Sequence, residues 1–298
     1  MRLLDGKKLA KKILKNLKKK VSQMKKKPVL AMILVGNDLA SSIYVRRKEI
    51  FCAEAGIESK TLKFSEKISE KKLLGVIKKL NKDKKISAIM VQLPLPKHID
   101  KNKIIEAIDP RKDADCLHPE NYGKFAQVGE NYSLVAPATP FGIMKLLEEY
   151  RIKIEGRHAV VVGRSNIVGK PMAQFLLNYG ATVTICHRQT KKLSVFTRQA
   201  DILVVAVGRR NLIRADMVKK RAVVVDVGIN RRGLTSTISG DVDFASVSKK
   251  ASYITPVPGG VGPATIAMLL WNTVQLAKSQ ELRNTKGLRN TNRAKYEK

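Results

Sequence analysis

The sequence predicts an α/β fold built on parallel β-sheet, and three observations lead to this prediction. Residues 159–162 form a short, unbroken apolar run, which is typical of a strand buried on both faces of a sheet. Gly163 ends this strand, Gly169 opens the next segment, and Pro171 suits the first turn of a helix. Similar runs alternate with helical segments along the chain, as in βαβ units. The 298 residues and the 44% hydrophobic content suggest about two domains with sizeable cores.

The turn after residues 159–162 is a candidate anion site, and two interpretations of it stay open. A strand, a glycine-bounded turn and a helix start together direct backbone N–H groups and a helix dipole at one point. An ordinary turn between a strand and a helix, without any ligand, has the same pattern. The spacing departs from the Gly-x-Gly-x-x-Gly dinucleotide fingerprint, because Ser165 stands where the second glycine would be. The turn alone therefore does not establish a dinucleotide site.

The first half of the chain alternates helices with strands. Pro28 stops the first helix, Ser41 or Ser42 can cap the second, and Gly56 ends it. A polar loop follows at 109–121, and residues 122–138 show no regular pattern. We predict helices over 7–27, 41–55, 71–80 and 103–108, and strands over 29–35, 61–64 and 86–93.

The second half repeats the alternation. A helix that starts at Thr139 is the predicted link to a second domain, and residues 256–263 form a rigid loop of glycine and proline. The last twenty residues are basic and lack apolar periodicity, so we expect them to be disordered. We predict helices over 139–150, 171–179, 191–199 and 264–277, and strands over 159–163, 181–186, 201–207 and 222–227.

The formal net charge of +33 is compatible with nucleic-acid binding or with a solvated basic surface. Most lysines lie opposite apolar stripes, as in residues 7–27, where Leu9, Ile13 and Leu17 share one face. Aromatic residues make up only 5% of the chain, which leaves few platforms for stacking on single strands. We therefore expect no specific nucleic-acid partner, although the basic field would concentrate small anions.

Several protein classes are disfavoured by features that the sequence lacks. The cysteines Cys52, Cys116 and Cys186 are scattered without metal-ligand spacing, so we predict no metal site and expect a reducing, cytoplasmic location. No uncharged apolar run reaches the roughly 18 residues of a transmembrane helix, and we expect no membrane contact. The first residues also lack the apolar core of a signal peptide.

Seven motifs in series carry a resemblance to one enzyme family. They are Tyr44-Val-Arg-Arg-Lys48, Val91-Gln-Leu-Pro-Leu-Pro96, Lys112-Asp-Ala-Asp115, Pro137-Ala-Thr-Pro140, Gly163-Arg-Ser-Asn-Ile-Val-Gly-Lys-Pro171, Asp226-Val-Gly-Ile-Asn230 and Pro256-Val-Pro-Gly-Gly-Val-Gly-Pro263. In this order and spacing they resemble the bifunctional methylenetetrahydrofolate dehydrogenase/methenyltetrahydrofolate cyclohydrolase family. The match spans residues 1 to about 277, and the series is far more specific than any single motif.

The resemblance implies two α/β domains that flank a cleft, the second of them a Rossmann-type NADP domain. The implied division is a folate-binding catalytic domain at 1–138, completed by a C-terminal helix at 262–277, an NADP-binding domain at 139–261 and a tail at 278–298. It also implies a homodimer that acts on tetrahydrofolate derivatives in one-carbon metabolism and purine biosynthesis. The implied reactions are NADP-dependent oxidation of 5,10-methylenetetrahydrofolate to the methenyl cation, and hydrolysis of that cation to 10-formyltetrahydrofolate.

Three positions depart from the family pattern. Cys116 replaces a usual glycine, Ala138 replaces the cysteine of Pro-Cys-Thr-Pro, and Ala264 replaces the methionine of Pro-Met-Thr. The cysteine lost at Ala138 cannot be essential here. If the family's glycine has a positive φ, Cys116 carries backbone strain, and the placement of Asp115 could suffer. A family member that has lost one of the two activities therefore stays as an alternative.

Tyr44 and Lys48 are four residues apart in a predicted helix, so they share one face. An aromatic ring beside an amine can stack on a flat heterocycle while the amine reaches a reactive carbon. A surface Tyr–Lys pair is the alternative that the residues alone favour. A lysine serves as a base or proton shuttle only if its pKa falls, and burial or the nearby charges of Arg46 and Arg47 would lower it.

Two further polar residues complete the predicted folate site. Gln92 follows a buried strand, where its amide could orient Lys48 or could satisfy backbone groups. Asp115 could accept hydrogen bonds from a pterin, or could cap a turn in its Asp-rich loop. The resemblance implies catalytic positions at Tyr44, Lys48, Gln92 and Asp115. The substrate contacts that it implies are these four residues together with Leu93, Pro94, Pro258, Gly259 and Gly260.

The predicted cofactor site lies in the second domain. Gly163, Arg164 and Ser165 lie in the candidate anion-binding turn. Arg188 follows the second strand of this domain, where an acidic residue favours NAD and an arginine favours the 2′-phosphate of NADP. No Asp or Glu is near it in sequence, so NADP is the predicted cofactor. By resemblance, Ile229 lies on the nicotinamide side.

Overall fold

The computed structural model describes residues 1–127, 135–231 and 238–296. The described chain forms two compact units. The larger unit comprises Met1–Ile13, Lys124–Tyr132 and Pro137–Met268, and the other comprises Leu14–Gly123, Ser133–Ala136 and Leu269–Lys298.

Helices and strands alternate along the chain, as predicted. The strands are β1 (Arg2–Leu3), β2 (Val29–Val35), β3 (Glu58–Phe64), β4 (Ala88–Val91), β5 (His158–Val162), β6 (Thr182–Cys186), β7 (Ile202–Val205), β8 (Val223–Asp226), β9 (Asn230–Arg231), β10 (Ile238–Ser239) and β11 (Tyr253–Ile254). The helices are α1 (Gly6–Ser22), α2 (Leu39–Ala55), α3 (Glu70–Lys82), α4 (Lys101–Glu106), α5 (Pro119–Gln127), α6 (Ala138–Glu149), α7 (Gly169–Asn178), α8 (Leu193–Thr197), α9 (Phe244–Val247) and α10 (Val261–Tyr296). Single 3₁₀ turns lie at Pro110–Lys112 and Ala215–Met217.

The larger unit is built on a six-stranded sheet in the order β1-β11-β8-β7-β5-β6. All its paired neighbours are parallel, which confirms the parallel sheet that the apolar runs predicted. Residues 159–162 of β5 are buried between neighbours on both sides, as expected for a central strand. Parallel strands align their carboxyl ends, so the loops after β5, β6, β7 and β8 lie along one edge of this sheet.

The other unit contains a three-stranded parallel sheet in the order β3-β2-β4. Every residue of the central strand β2 is buried. On α3 the apolar side chains Leu73, Ile77 and Leu80 recur at helical spacing and join the core beside this sheet. Residues that follow β4 therefore emerge at the carboxyl edge of this small sheet.

The N-terminus pairs with a strand far along the sequence. β1 pairs with β11, and Met1–Ile13 lies in the larger compact unit, while the division into a folate-binding and an NADP-binding domain stays a prediction. A two-residue strand is too short to show periodicity, which is why both β1 and β11 escaped prediction. Helix α5 likewise lies where no regular pattern was expected, and residues 128–134 of that stretch are outside the described residues.

The last helix is longer than predicted. α10 continues to Tyr296, whereas the sequence predicted an end near Ala277 followed by a disordered tail. Residues 278–296 contain one glycine, Gly287, and lack proline, so the chain has no strong helix terminator there. Among the described residues, no helix combines the length and the apolar character that crossing a membrane requires.

Candidate active site

Helix α2 presents the two residues that the sequence paired. Its start is fixed by Asp38, whose side chain accepts a hydrogen bond from the backbone N–H of Ser41 at 2.7 Å. Its end is fixed by Gly56 in the left-handed conformation. Tyr44 is half-buried, and one turn later Lys48 is only 8% exposed. The predicted pair is therefore not a simple surface pair, since its amine is buried.

Gln92 holds the amine of Lys48. It follows β4 directly, and its Oε1 accepts a hydrogen bond from Lys48 Nζ at 2.8 Å. Its own Nε2 donates to the carbonyl of Leu93 at 2.7 Å, which fixes the amide with its oxygen toward the lysine. Leu93 and Pro94 are joined by a cis peptide bond. The sulfur of Met90 lies 3.3 Å from the same Nζ, and it is a weak acceptor for an ammonium group.

Electrostatics favour proton exchange at this site. Burial lowers the pKa of Lys48, and the nearby Asp115 and Cys52 partly oppose this shift. Burial raises the pKa of Asp115 to about 6, Lys48 opposes the rise and Asp113 adds to it. The like charges of Arg46 and Arg47, which were expected to lower the pKa of Lys48, do not contribute, because both side chains are exposed on another face of α2.

The loop that carries Asp115 is anchored by buried polar groups. Asp113 accepts hydrogen bonds from the backbone N–H of His118 at 2.9 Å and from Asn121 Nδ2 at 3.0 Å. The N–H of Ala114 donates to Ile89 of β4, and the carbonyl of Ala114 accepts from Asn272 Nδ2 at 2.7 Å. The loop therefore runs beside the strand that leads to Gln92, which accounts for the proximity of Asp115 and Lys48.

Cys116 has φ of 57°, in the left-handed region, as expected if the glycine usual at this position has a positive φ. A residue with a Cβ pays about 1–2 kcal/mol for this conformation. Its thiol is fully buried and donates to the carbonyl of Val135 at 3.6 Å. Burial raises the pKa of this thiol well above its usual value, so it stays protonated and able to donate. The strained position is therefore compensated by packing and one weak hydrogen bond.

The turn after β5 needs its two glycines. A Cβ on Gly163, which has φ of 131°, would lie 2.4 Å from the carbonyl oxygen of Ala206. A Cβ on Gly169 would lie 2.1 Å from the carbonyl oxygen of Gly163. Ser165 accepts hydrogen bonds from the N–H groups of Val168 and Gly169 at 3.2 and 3.3 Å. The serine hydroxyl therefore already accepts hydrogen bonds from two backbone N–H groups that could otherwise bind an anion.

The other predicted cofactor residues lie at the same edge of the six-stranded sheet. Arg164 follows β5 and Arg188 follows β6, and both side chains are exposed. Ile229 follows β8 and is 42% exposed. Two cationic side chains and an exposed apolar side chain thus lie on the loops at the carboxyl ends of neighbouring parallel strands. In doubly wound folds, dinucleotides bind at this edge of the sheet.

Two buried carboxylates brace this edge of the sheet. Asp226 accepts hydrogen bonds from the N–H groups of Gly228, Asp241 and Val242, each at 2.9 Å. Asp241 accepts from the N–H groups of Val207 and Gly208 at 2.7 and 2.9 Å and from Asn230 Nδ2 at 2.9 Å. Burial raises the pKa of Asp226 to about 6 in spite of these donors, and Asp241 adds to the rise. The loop that carries Ile229 is thereby fixed from both sides.

The loop at Pro258, Gly259 and Gly260 is packed against the start of α1 within the larger unit. The N–H groups of Gly6 and Lys7 donate to the carbonyl of Gly259 at 3.0 and 3.2 Å. A Cβ on Gly6 would lie 1.6 Å from the carbonyl oxygen of Gly260, so only glycine fits there. Gly259 has φ of 114°, which also requires glycine. These predicted substrate residues belong to the larger unit, whereas Tyr44, Lys48, Gln92, Leu93, Pro94 and Asp115 belong to the other.

Comparison with known proteins identifies the family. Residues 4–115 match the catalytic domain of tetrahydrofolate dehydrogenase/cyclohydrolase, and residues 137–281 match the NAD(P)-binding domain of the same enzymes. The chain belongs to the tetrahydrofolate dehydrogenase/cyclohydrolase family. It is a bifunctional enzyme, as the seven motifs implied.

Individual relatives of this tetrahydrofolate dehydrogenase/cyclohydrolase are similar over nearly their whole length. The bifunctional protein FolD of Nitratiruptor is 55% identical, and the alignment covers 94% of this chain and 99% of the relative. The crystal structure of FolD from Campylobacter jejuni is 53% identical with a TM-score of 0.90, over 94% of this chain and 99% of that chain. The Trypanosoma brucei enzyme, solved with NADP and an inhibitor, is 37% identical with a TM-score of 0.89, over 92% of this chain and 96% of that chain.

Sequence reasoning missed several residues that shape the sites of this dehydrogenase/cyclohydrolase. Asn272 gave a usable signal, because it is an amide within an otherwise apolar helical run. Met90 gave none, since a methionine in a buried strand resembles any other core residue. Asp241 lies in Gly240-Asp-Val-Asp243, whose pattern gave no indication that this aspartate braces the sheet edge. Among the described residues, no group of His, Cys, Asp or Glu is placed to hold a metal ion.

Proposed function

We propose that Lys48, Gln92, Tyr44 and Asp115 form the folate site at which both reactions of this enzyme occur. The observation that carries the proposal is the buried Lys48 amine held at 2.8 Å by Gln92, with the carboxylate of Asp115 close enough to affect its pKa. Tyr44 lies one helical turn from Lys48 and supplies an aromatic surface for the pterin. Asp115 accepts hydrogen bonds from the pterin amino and ring N–H groups.

The oxidation step needs positioning more than proton transfer. A hydride leaves the methylene carbon of the substrate, and the bond to that carbon breaks with both electrons. When bound, NADP supplies the acceptor for this hydride. The protein's contribution is to hold the pterin on Tyr44 and Asp115 so that the reacting atoms lie about 3–3.5 Å apart. Gly163 and Gly169 allow the turn after β5 to pack closely against neighbouring backbone, which a residue with a Cβ could not do, and Arg164 and Arg188 offer exposed cations at the same sheet edge for the phosphates of a dinucleotide.

The hydrolysis step needs a proton carrier, and Lys48 suits that role. Neutral Lys48 accepts a proton from the water that adds to the methenyl carbon. The resulting ammonium then donates this proton to N5 as the bond between that carbon and N5 breaks, and the second proton of the water leaves for solvent. A lowered pKa increases the neutral fraction of the amine, and Gln92 keeps its Nζ in one position. Asp115 limits the shift, so the ammonium can also form.

NADP is the cofactor that the residues favour over NAD. Arg188 follows β6, next to the glycine turn that follows β5. An exposed arginine at this position pairs with a 2′-phosphate, whereas NAD specificity uses an acidic residue that hydrogen-bonds the ribose. The NADP complex of the Trypanosoma brucei relative supports the same choice.

Homodimer formation and a cytoplasmic location are further parts of the proposal. β6 is the last strand in the order of the six-stranded sheet, and Ile185 on it is 42% exposed. Leu177 on α7 and Val195 on α8 are 56% and 50% exposed on helices that pack near this strand. Exposed apolar groups around a sheet edge favour association with a second copy. Three buried, unpaired cysteines are consistent with a reducing cytoplasm, where the product would serve one-carbon metabolism and purine biosynthesis.

A spectrophotometric assay tests both reactions together. The full-length enzyme is mixed with 5,10-methylenetetrahydrofolate and NADP, and the absorbance of the methenyl intermediate is followed in time. We expect it to form and then decay faster than without enzyme. Formation without accelerated decay would show that the cyclohydrolase activity has been lost, which is the outcome that the strained Cys116 makes plausible. Failure to form it at all, with nucleic acid retained at moderate salt, would support a nucleic-acid-binding protein instead.

A further inference from the structure

A concave basic pocket lies in the larger unit, at the edge of the six-stranded sheet where the strands begin. It has a volume of about 450 Å³, within the roughly 300–1,000 Å³ range of small-molecule sites. Its lining includes the amino ends of β7, β8 and β11 and the residue before β5. The glycine turn and Arg188 lie at the carboxyl ends of the strands, and strands of four or five residues separate the two edges by roughly 15 Å. The pocket is therefore distinct from the predicted cofactor site.

Cations dominate the lining of this pocket. Six of its lining residues are basic and one is acidic, whereas the whole sequence has 58 Lys and Arg to 25 Asp and Glu. At the ratio of the whole chain about five of these seven charged residues would be basic, so the arrangement of the cations, and not their number, distinguishes the pocket. The basic residues are Arg151, Lys153, Arg157, Lys219, Lys220 and Arg221.

The one carboxylate in the pocket is already occupied. Asp201 accepts hydrogen bonds from Lys219 Nζ at 2.7 Å and from the backbone N–H of His158 at 3.0 Å. Within residues 1–127, 135–231 and 238–296, the other five cations have no carboxylate within 4.0 Å. Like charges that share one concave surface repel each other, and an anion that bridges them relieves this repulsion.

The backbone fixes where two of these cations stand. Arg157 directly precedes β5, and its carbonyl accepts a hydrogen bond from the N–H of Thr182 at 2.9 Å. Arg221 has φ of 65°, its N–H donates to the carbonyl of Lys250 at 2.9 Å, and its carbonyl accepts from Ser252 Oγ. Because β7 separates β5 from β8, the two arginines flank Asp201 along the sheet edge. Guanidinium groups match both phosphate and carboxylate oxygens in pairs, and the number of cations here favours phosphate, which carries more charge and more acceptor oxygens per group.

We propose that this pocket binds a small molecule that carries an oligophosphate group, at the edge of the sheet opposite the cofactor turn. Several cations that lack a carboxylate partner call for a ligand with several negative charges in a short span. Two or three linked phosphates meet this requirement in the available volume, whereas a single phosphate would reach only part of the lining. The ligand binds by charge, so its affinity falls steeply as salt is added.

Isothermal titration of the full-length protein with inorganic triphosphate tests the proposal. We expect saturable binding at low salt that persists when NADP is already bound. The variant Arg157→Gln/Arg221→Asn removes two charges from the pocket, and asparagine tolerates the left-handed conformation. Exposed ion pairs contribute up to about five-fold each, so we expect triphosphate to bind roughly 5- to 25-fold more weakly. The control Lys71→Gln/Lys78→Gln removes two exposed charges from α3 and should change the affinity less than two-fold.

Four results would overturn the proposal. Equal affinities in the parent and the pocket variant would show that triphosphate binds elsewhere. An equal loss in the pocket variant and the control would indicate a general charge effect. Competition between triphosphate and NADP would assign the binding to the cofactor turn. A single-stranded oligonucleotide is titrated in parallel. If it binds much more tightly than triphosphate, and its affinity depends on the same two arginines, the ligand of the pocket is a nucleic acid and not a small molecule. Circular dichroism of both variants verifies that the fold is unchanged.

Discussion

Replacement of Lys48 by methionine should separate the two reactions of this enzyme. The hydride step transfers no proton to the protein, so it should persist while Tyr44 and Asp115 hold the pterin. The hydrolysis step loses its proton carrier, and general acid–base groups typically contribute about 10²–10⁴-fold. We therefore expect the cyclohydrolase rate to fall by at least about 100-fold and the methenyl intermediate to accumulate.

The variant should remain folded, because opposing effects on stability nearly balance. Loss of the 2.8 Å hydrogen bond leaves Gln92 Oε1 without its lysine partner, at a cost of about 1–3 kcal/mol. Removal of an amine that is 8% exposed also removes its desolvation cost, and methionine keeps the length of the apolar stem. We expect the free energy of unfolding to change by less than about 2 kcal/mol, which urea denaturation can measure.

The assay follows methenyl absorbance after the variant is mixed with 5,10-methylenetetrahydrofolate and NADP. Arg47→Met is the matched control, since it removes the same charge from an exposed position of the same helix. The parent should also show a cyclohydrolase rate that rises with pH as the neutral amine forms, at a pH below the ordinary lysine value of 10.5. Clearance of the methenyl intermediate at the parent rate by Lys48→Met would refute the role of this lysine.

Four further predictions follow from the described contacts. Arg188→Ser should raise the KM for NADP much more than the KM for NAD, and steady-state kinetics showing equal effects would remove the 2′-phosphate role. Asp115→Ala should abolish folate binding. In the parent enzyme the affinity for folate should fall as the pH drops through about 6, because the carboxylate of Asp115 becomes protonated, and calorimetry on both sides of that pH tests this. Cys116→Gly should be more stable than Cys116→Ala by about 1 kcal/mol in urea, the reverse of the usual order, because only glycine accepts φ of 57° without strain. Asn272→Leu should lower the free energy of unfolding by about 2–4 kcal/mol and raise the KM for folate, since the buried carbonyls of Ala114 and Ala136 lose their donor. An unchanged KM would show that Asn272 does not position the loop of Asp115.

The longer strands of this fold could be predicted because strands buried on both faces consist mainly of apolar residues. β2 is a continuous apolar run, β5 and β8 each contain one, and the glycine after β5 marked the edge where the predicted cofactor residues lie. The two-residue strands β1 and β11 could not be predicted, since their identity depends on pairing between segments far apart in sequence.

Residue types were easier to predict at the site than the forces that tune them. Lys48 and Gln92 are in contact, in agreement with the idea that the amide orients the amine. Burial, and not the neighbouring arginines, lowers the pKa of Lys48, and sequence proximity could not show which way those arginines point. Ser165 was likewise noticed only because it replaces a glycine of the fingerprint, yet its hydroxyl oxygen accepts hydrogen bonds from two N–H groups of the turn.

The pairing of β1 with β11 has a consequence for synthesis of the protein on the ribosome. Arg2 and Leu3 are made early, but their partners Tyr253 and Ile254 leave the exit tunnel only after most of the chain has been translated. The six-stranded sheet therefore cannot close during most of elongation. Leu14–Gly123, by contrast, is one continuous segment that contains a complete three-stranded sheet, although the unit to which it belongs also includes Leu269–Lys298. We expect nascent chains halted before Tyr253 to protect β2 from proteolysis while Arg2 and Leu3 remain open to it.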